Sequence, residues 1–485
     1  MEKSKRRATS NRGMEENTLA ILESFCSLDS SHVHDDRLAF LEAVRFASIV
    51  PENGTPPTNK MMKAIFEIMR ETKSLELIVA SYQLLCELEK HFPRVCLSDG
   101  DDKQGNPDKR TELVVYEEAW SPIAIGSDVA LSDKHAAKKR SKEPIDAAGF
   151  QLLLESLSKV ANEPESSDTK LELLAKMYLF QYLVYILEAD FLPRNHHFRE
   201  NSNWICVRDS LLNKLLGSRQ ITYKDLVYDS IFVLCDLFLG NASVNRDTGL
   251  TAKSASMVMY NNSDSALGLC LPEAEKCTCK AVKKLIILMT ELDLSRKKAD
   301  MQSLTTRADG ARVPVVELII DELSYDKDII TPFLQALDEP RLKLEIVSQY
   351  IQKYNVKPST RKRKSEGSQD DATNIGFFKC FVNSTSTKGI VKKVGAEAVQ
   401  VLLAHALQAC MSISKEQLLE EFFDSKGIGS SPLASICKNI ISAFTRLKET
   451  DEYCLLVRKH YLQQQLCCLQ GHRRFQILLE LSFCT

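Results

Sequence analysis

The segment Met177–Leu187 constrains this chain more than any other, being eleven residues long and apolar or aromatic throughout except at Gln181. Leu173, Met177, Phe180, Val184 and Leu187 advance in steps of four and three, the spacing of one helix face, and apart from Lys176 and Gln181 the residues between them are apolar or aromatic too. A helix that is apolar on every side must be enclosed by other elements or by lipid. A bilayer span needs roughly 20 such residues, so the run is too short for lipid and predicts the centre of a protein core.

The rest of the 485 residues must supply the enclosing elements. Gly (18) and Pro (15) are sparse for this length, about 7% against an average near 12%. Few turn formers mean long elements, and the recurring period is helical. Thr58 is placed to cap a helix whose Met62, Ile65, Phe66 and Met69 share one face. A second helix is expected from about Ser74 to His91. Leu285, Leu288, Met289 and Leu292 form another stripe, and Asp338 with Pro340 opens a helix carrying Leu344, Val347, Ile351 and Tyr354. Further helices are expected near 145–161, 203–217, 222–239, 315–337, 396–412 and 432–449. Leu113–Tyr116 is the clearest strand-like run.

These elements predict an all-α protein. No self-similarity recurs at the 33 to 47 residues of the common helical repeats, so the expectation is an irregular array of stacked helices, α-solenoid-like rather than built from a consensus unit. Residues 1–34 read as a disordered basic lead-in and 35–450 as the helical array. Polar inserts fall near 98–110, 130–144, 241–276 and 357–372. Residues 451–485 read as an atypical tail.

Composition excludes several functions. Hydrophobic residues are 44% and charged residues 26%, as in soluble globular chains. A formal net charge of −2 gives no global field for nucleic acid or an anionic membrane. Met1–Asn17 is polar and lacks the apolar run of a secretory signal, so the 15 cysteines are expected as reduced thiols. No phosphate-loop or dinucleotide-binding glycine pattern occurs, and Lys426–Ser430 lacks the central Ser of a nucleophile elbow. The groups Cys270, Cys277, Cys279 and Cys467, Cys468, His472 lack the paired spacing of structural zinc. His405 lies in an apolar run, which suits a hydrogen-bonded core histidine better than a base, and His196–His197 follows Pro193 in an expected loop. No catalytic residue, cofactor or metal ligand is assigned, and no enzyme activity is expected.

The sharpest short motif is Arg361, Lys362, Arg363 and Lys364, flanked by Pro358, Ser359, Thr360 and Ser365. Four consecutive cations in a polar segment suit the acidic groove of a nuclear import receptor, which predicts a nuclear protein. Direct contact of such basic loops with DNA phosphates is the alternative.

Three non-periodic runs carry a family resemblance: Val50–Lys60, Glu118–Pro122 (Glu-Ala-Trp-Ser-Pro) and Lys297–Asp300 (Lys-Lys-Ala-Asp). Asp321–Leu323, Lys343–Val347 and Ile440–Phe444 follow in order. Together they resemble the plant family called negative regulator of systemic acquired resistance, over roughly residues 14–450, with departure near Asp451. The resemblance implies an armadillo/HEAT-like helical protein of the nucleus that represses defence genes and takes part in DNA repair and recombination control. It implies a non-catalytic scaffold subunit of the structural-maintenance-of-chromosomes 5/6 complex, beside a second non-catalytic helical partner, with DNA contacted indirectly and no membrane. The alternative function is a direct DNA-binding transcriptional repressor. The Val50–Lys60 run, with three prolines and a glycine before a capped helix, reads as a rigid turn.

Overall fold

The computed structural model describes residues 14–23, 25, 33–51, 54–99, 111–116, 119–124, 144–159, 167–247, 262–310, 312–355 and 384–421. They are overwhelmingly helical, as the low turn content requires, and they divide into two units, Met1–Val315 and Val316–Thr485.

Unit 1 begins with helix α1 (14–23), then α2 (Val33–Ser48), α3 (Asn59–Glu71) and α4 (Leu75–His91). The expected cap is present, with Thr58 accepting from Met61 N at the start of α3 (3.3 Å), and Ser74 likewise accepts from Leu77 N at the start of α4 (3.5 Å). A hairpin follows, with β1 (Val95–Asp99) antiparallel to β2 (Thr111–Val115) and Val95 opposite Val115. A short parallel pair, β3 (Ile123–Ala124) with β4 (Ile145–Asp146), leads into α5 (Ala147–Lys159). Then come α6 (Ser167–Asn201), the short α7 (Trp204–Arg208) and α8 (Leu211–Leu216), α9 (Tyr223–Asp247) and α10 (Asn262–Met301).

The expected central helix is α6. Leu174, Phe180, Tyr182, Leu183, Ile186 and Leu187 are each fully buried. Helices α3, α4, α5, α8 and α10 and the β1–β2 hairpin all pack on it. Its main partner is α10, and the contacts rise together along both helices: Gln181 to Thr278, Glu188 to Lys284, Asn195 to Glu291 and Arg199 to Lys298. The two helices therefore run parallel. Helix α9, packed on α10 and α5, carries the chain back between them.

Unit 2 comprises α11 (Val315–Tyr325), which starts at the boundary residue, and α12 (Ile330–Ala336), α13 (Pro340–Asn355), α14 (Ser384–Val394) and α15 (Ala396–Glu421). Its core lies where α13 packs on α15, with Leu344, Val347, Tyr350 and Ile351 buried on the first helix and Val399, Leu402, Leu403 and Ala406 on the second. Lys327 donates to the carbonyl of Val394 (2.9 Å), a cation closing the end of α14 where Gly395 turns the chain at φ 101°.

Several sequence expectations are corrected. Residues 14–23 are helical rather than disordered, because Ile21 and Thr18 bury and the Thr18 hydroxyl bonds Met14 O (2.7 Å); α2 likewise starts at Val33, ahead of residue 35. The insert drawn at 241–276 shrinks at both ends: α9 runs to Asp247, and 262–276 belongs to α10. Leu267, Ala274 and Thr278 bury on the same α10 face as Val282 and Leu285, so the scattered apolar residues form one stripe that absorbs Pro272 within the helix. Pro193 also lies inside a helix, which places His196 and His197 on α6 rather than in a loop. The helix drawn at 203–217 breaks at Asp209–Ser210, where Ser210 caps α8 by accepting from Asn213 N (3.2 Å). The one drawn at 315–337 breaks at Asp326–Ile329. Ser98 and Asp99, placed in an insert, close β1, for which β2 supplies the missing partner. The segments 357–372, 432–449 and 451–485 lie outside the described residues.

Gly54 shows why the Val50–Lys60 run is so particular. Its N–H donates to Pro51 O (3.0 Å), and a Cβ built on it would sit 1.8 Å from the Ser48 carbonyl oxygen, so only glycine lets the turn close against the end of α2. Gly54→Ala is expected to cost about 1–3 kcal/mol, because backbone must move to relieve the overlap. A lowered midpoint in denaturant titration, with α-helical content retained, is the readout.

Candidate functional site

A buried polar side chain in a helical array either performs chemistry or fixes how the helices meet, and its partners decide which. Gln181, the one polar residue of the central run, is 6% exposed. Its Nε2 donates to Ala274 O (3.0 Å) and Thr278 Oγ1 (2.9 Å) of α10, and its Oε1 accepts from Tyr82 of α4 (3.1 Å). One amide thus joins three helices with its hydrogen-bonding atoms engaged. Tyr82 stacks on Tyr178 at 4.5 Å, and burial raises both phenols above their ordinary range, which keeps them neutral.

Two buried ion pairs and a half-buried one repeat the pattern. Arg94, just before β1, makes a two-bond fork with Glu89 of α4 (2.8 and 2.9 Å), both nearly inaccessible. Its Nη2 also reaches the carbonyl of Trp120 (3.4 Å), whose ring meets Phe66 edge-on at 5.3 Å. The phenol of Tyr182 is buried in the same region without a hydrogen bond, and burial holds its pKa well above the ordinary value. Asp190 and Arg194 pair within α6 (3.1 Å); Asp190 also caps α8 by accepting from Leu211 N (2.6 Å), and Arg194 donates to Cys206 O of α7 (3.2 Å). Asp293 of α10 pairs with Arg312 (3.3 Å) and accepts from Tyr223 of α9 (3.4 Å) and from Val315 N at the end of unit 1 (2.7 Å). Each carboxylate is committed to a cation, and Asp190 and Asp293 to backbone N–H groups as well.

The remaining candidates are equally structural. His405 of α15 is 4% exposed and its Nδ1 lacks a hydrogen bond, so it is a core histidine less fully bonded than its surroundings suggested. Burial, and then the charge of Lys343, pull its pKa down from 6.5 to about 4. Cys279 is buried and Cys270 and Cys277 are half-buried on α10; among the described residues no group of three or more His, Cys, Asp or Glu could hold a metal. Arg361, Lys362, Arg363 and Lys364 lie outside the described residues, as do Cys467, Cys468 and His472. Among the described residues no helix is long and apolar enough to cross a membrane.

The motif runs gather where elements join. In Glu118–Pro122, Trp120 covers Phe66 and steadies Arg94, while the Pro122 carbonyl receives Ile145 N of β4 (2.8 Å). In Lys297–Asp300, Ala299 is fully buried, Lys298 donates to Arg199 O at the end of α6 (3.3 Å), and Asp300 accepts from Thr305 (2.5 Å). In unit 2, Asp321 pairs with Lys353 (2.7 Å) and the Leu323 carbonyl accepts from Tyr350 (3.4 Å), tying α11 to α13. Of the Lys343–Val347 run, Lys343, Leu344, Ile346 and Val347 are buried.

Comparison with known proteins bears on the same runs. The family model for the SNI1 middle domain matches residues 94–339, and that for the SNI1 C-terminal domain matches 355–460. A curated Arabidopsis thaliana protein, named negative regulator of systemic acquired resistance SNI1, is 41% identical over 441 residues, covering 90% of each chain. The chain belongs to the SNI1 family. The C-terminal SNI1 match continues to residue 460, so departure from the family begins later than Asp451. The SNI1 middle-domain match opens at Arg94, the cation of the buried fork. No solved structure matches the chain.

Two measurements follow. Arg94→Met strands a buried carboxylate and is expected to cost about 3 kcal/mol or more, whereas Glu89→Met with Arg94→Met recovers most of that loss; denaturant titration of both variants checks this. His405 binds a proton in the unfolded chain below pH 6.5 but in the folded chain only below about 4. Its contribution is therefore full above pH 6.5 and falls away as pH drops toward 4, by up to about 3 kcal/mol. His405→Leu should flatten that part of the stability–pH curve.

Proposed function

We propose that this chain is a non-catalytic negative regulator of systemic acquired resistance, acting in the nucleus as a scaffold subunit of the structural-maintenance-of-chromosomes 5/6 complex. In that role it would also serve DNA repair and recombination control and contact DNA through its partners. The observation that carries the reading is the 41% identity, across 90% of both chains, to a protein named for that regulation. A role without enzyme activity is supported by Glu89, Asp190 and Asp293, whose carboxylates are bonded to cations and backbone N–H groups of their own framework. Long helical surfaces of this kind suit partner segments. The nuclear assignment rests on Arg361–Lys364.

Direct DNA binding is the second reading, favoured by the exposed Lys388, Lys392 and Lys393 of α14, which add to the basic run at 361–364. The two readings separate in one experiment. The chain is purified from nuclease-treated nuclear extract and the bound proteins are identified; chromosome-maintenance 5/6 subunits should stay bound, and their loss with the DNA would favour the second reading. Replacing Arg361, Lys362, Arg363 and Lys364 by Ala is expected to move a fluorescent fusion from nucleus to cytoplasm. Unchanged nuclear accumulation would reject the import role of that run.

A further inference from the structure

Helix α2 carries two apolar stripes. The first, Phe40, Leu41, Val44 and Ser48, is buried where α2 packs on α3 and α4. The second runs down the opposite side: Ala39, Ala43 and Phe46 within the helix, and Val50 just beyond its end, spaced by four, three and four residues. All four are exposed, Phe46 to 70% and Val50 to 60%. Solvent alone does not select a second stripe of this kind, and contiguous apolar surface on a folded chain marks a contact site. Alternating steps of three and four keep a seam facing a second helix along its length. Here the small Ala39 and Ala43 admit a close backbone, while Phe46 and Val50 project as the bulky end.

The charges beside the seam specify what it can receive. Asp35 and Glu42 stand seven residues apart along one flank, both exposed, and Asp36 is exposed at the head of the seam. The opposite flank carries the exposed Asp36 in the first turn and the uncharged Ala47 three turns on, so Asp35 and Glu42 make the more acidic side. The nearby cation Arg45 is occupied by Glu87 of α4 (3.0 Å), and His34 lies 3.4 Å from Asp35 and 2.9 Å from Ser74. A second copy of this chain is a poor fit, since antiparallel pairing of two such faces sets Asp35 and Glu42 against their own counterparts, and like charges across a helix interface oppose association.

We propose that the outer face of α2, centred on Phe46, docks an amphipathic helix of a partner protein, one with a small apolar seam and Lys or Arg along the flank that meets Asp35 and Glu42. The proposal deepens the scaffold reading and rests on it for its biological setting. Phe46 is the anchor, as a large aromatic near the centre of a contact carries a disproportionate share of its energy. The acidic flank selects the partner and its direction.

The test uses the full chain and two labelled, stapled helical peptides. Both carry the same Leu/Ala seam at three-four spacing, and they differ only in having Lys or Glu along the flank. By fluorescence anisotropy the Lys peptide should bind at least about tenfold more tightly than the Glu peptide, with the gap narrowing in high salt. Phe46→Glu should weaken the Lys peptide by at least about tenfold while leaving the melting midpoint unchanged, because Phe46 faces outward. Asp35→Lys with Glu42→Lys should reverse the preference between peptides. Failure of both peptides to bind, or binding indifferent to flank sign and to Phe46→Glu, overturns the proposal. Self-association of the chain that disappears in Phe46→Glu also overturns it, by giving the face to a second copy. No chromosome-maintenance protein is present, so peptide binding beside a failed copurification would reject the scaffold assignment and keep the docking face.

Discussion

The parallel clasp between α6 and α10 is the constraint on which the rest of unit 1 depends. Two helices joined at Gln181–Thr278, Glu188–Lys284, Asn195–Glu291 and Arg199–Lys298 cannot slide, since a shift by one residue would break every pair together. Because they run parallel, the chain must leave the end of α6 and return before α10 begins. Helices α7 and α8 make the turn, Asp190 and Arg194 hold it, and α9 makes the return. The direction of the clasp thus dictates the connection, and the connection dictates where α5 can pack.

Specificity and stability are divided between different residues. Apolar burial around α6 is non-directional and would tolerate several helix registers. The buried polar bonds tolerate few, because a shifted Gln181, Glu89 or Asp293 would be left desolvated and unpaired. That division explains why the motif runs concentrate at junctions. Trp120 and Lys298 each bond a chain segment arriving from elsewhere, and such positions depend on shape and partner rather than on hydrophobicity alone.

The helical class, the central helix, the cap at Thr58 and the start of α13 at Pro340 were legible because each is written locally, in period and in helix-start chemistry. Pro193 and Pro272 were not, because the bonds that keep α6 and α10 helical around them come from other elements: Asn195 from Glu291 and Ser295, Thr278 from Gln181. The stripe Leu267–Thr278 was hidden among Ser, Asn and Gly, whose turn preference α9 and α6 override by burial. Of the site, Gln181 stood out as the single polar residue in an apolar run. The Glu89–Arg94 fork did not, since five residues spanning a helix end and a strand start match no periodic pattern. The outward seam of α2 was also missed: alternating apolar residues on the exposed side look like ordinary surface until the buried side is known.

The α6–α10 clasp joins residues 92 to 100 positions apart in the chain. Such a contact cannot form while the protein is still being made up to α9, so the central helix leaves the ribosome long before its main cover exists. At about 5–20 residues per second, that interval lasts roughly 5 to 20 seconds. Over that time α6 relies on the earlier α3, α4 and β1–β2 hairpin, which already pack on it and shield its first faces. The order of elements along the chain is therefore also an order of protection, with the N-terminal helices serving as the nascent chain's own chaperone for the helix at its centre.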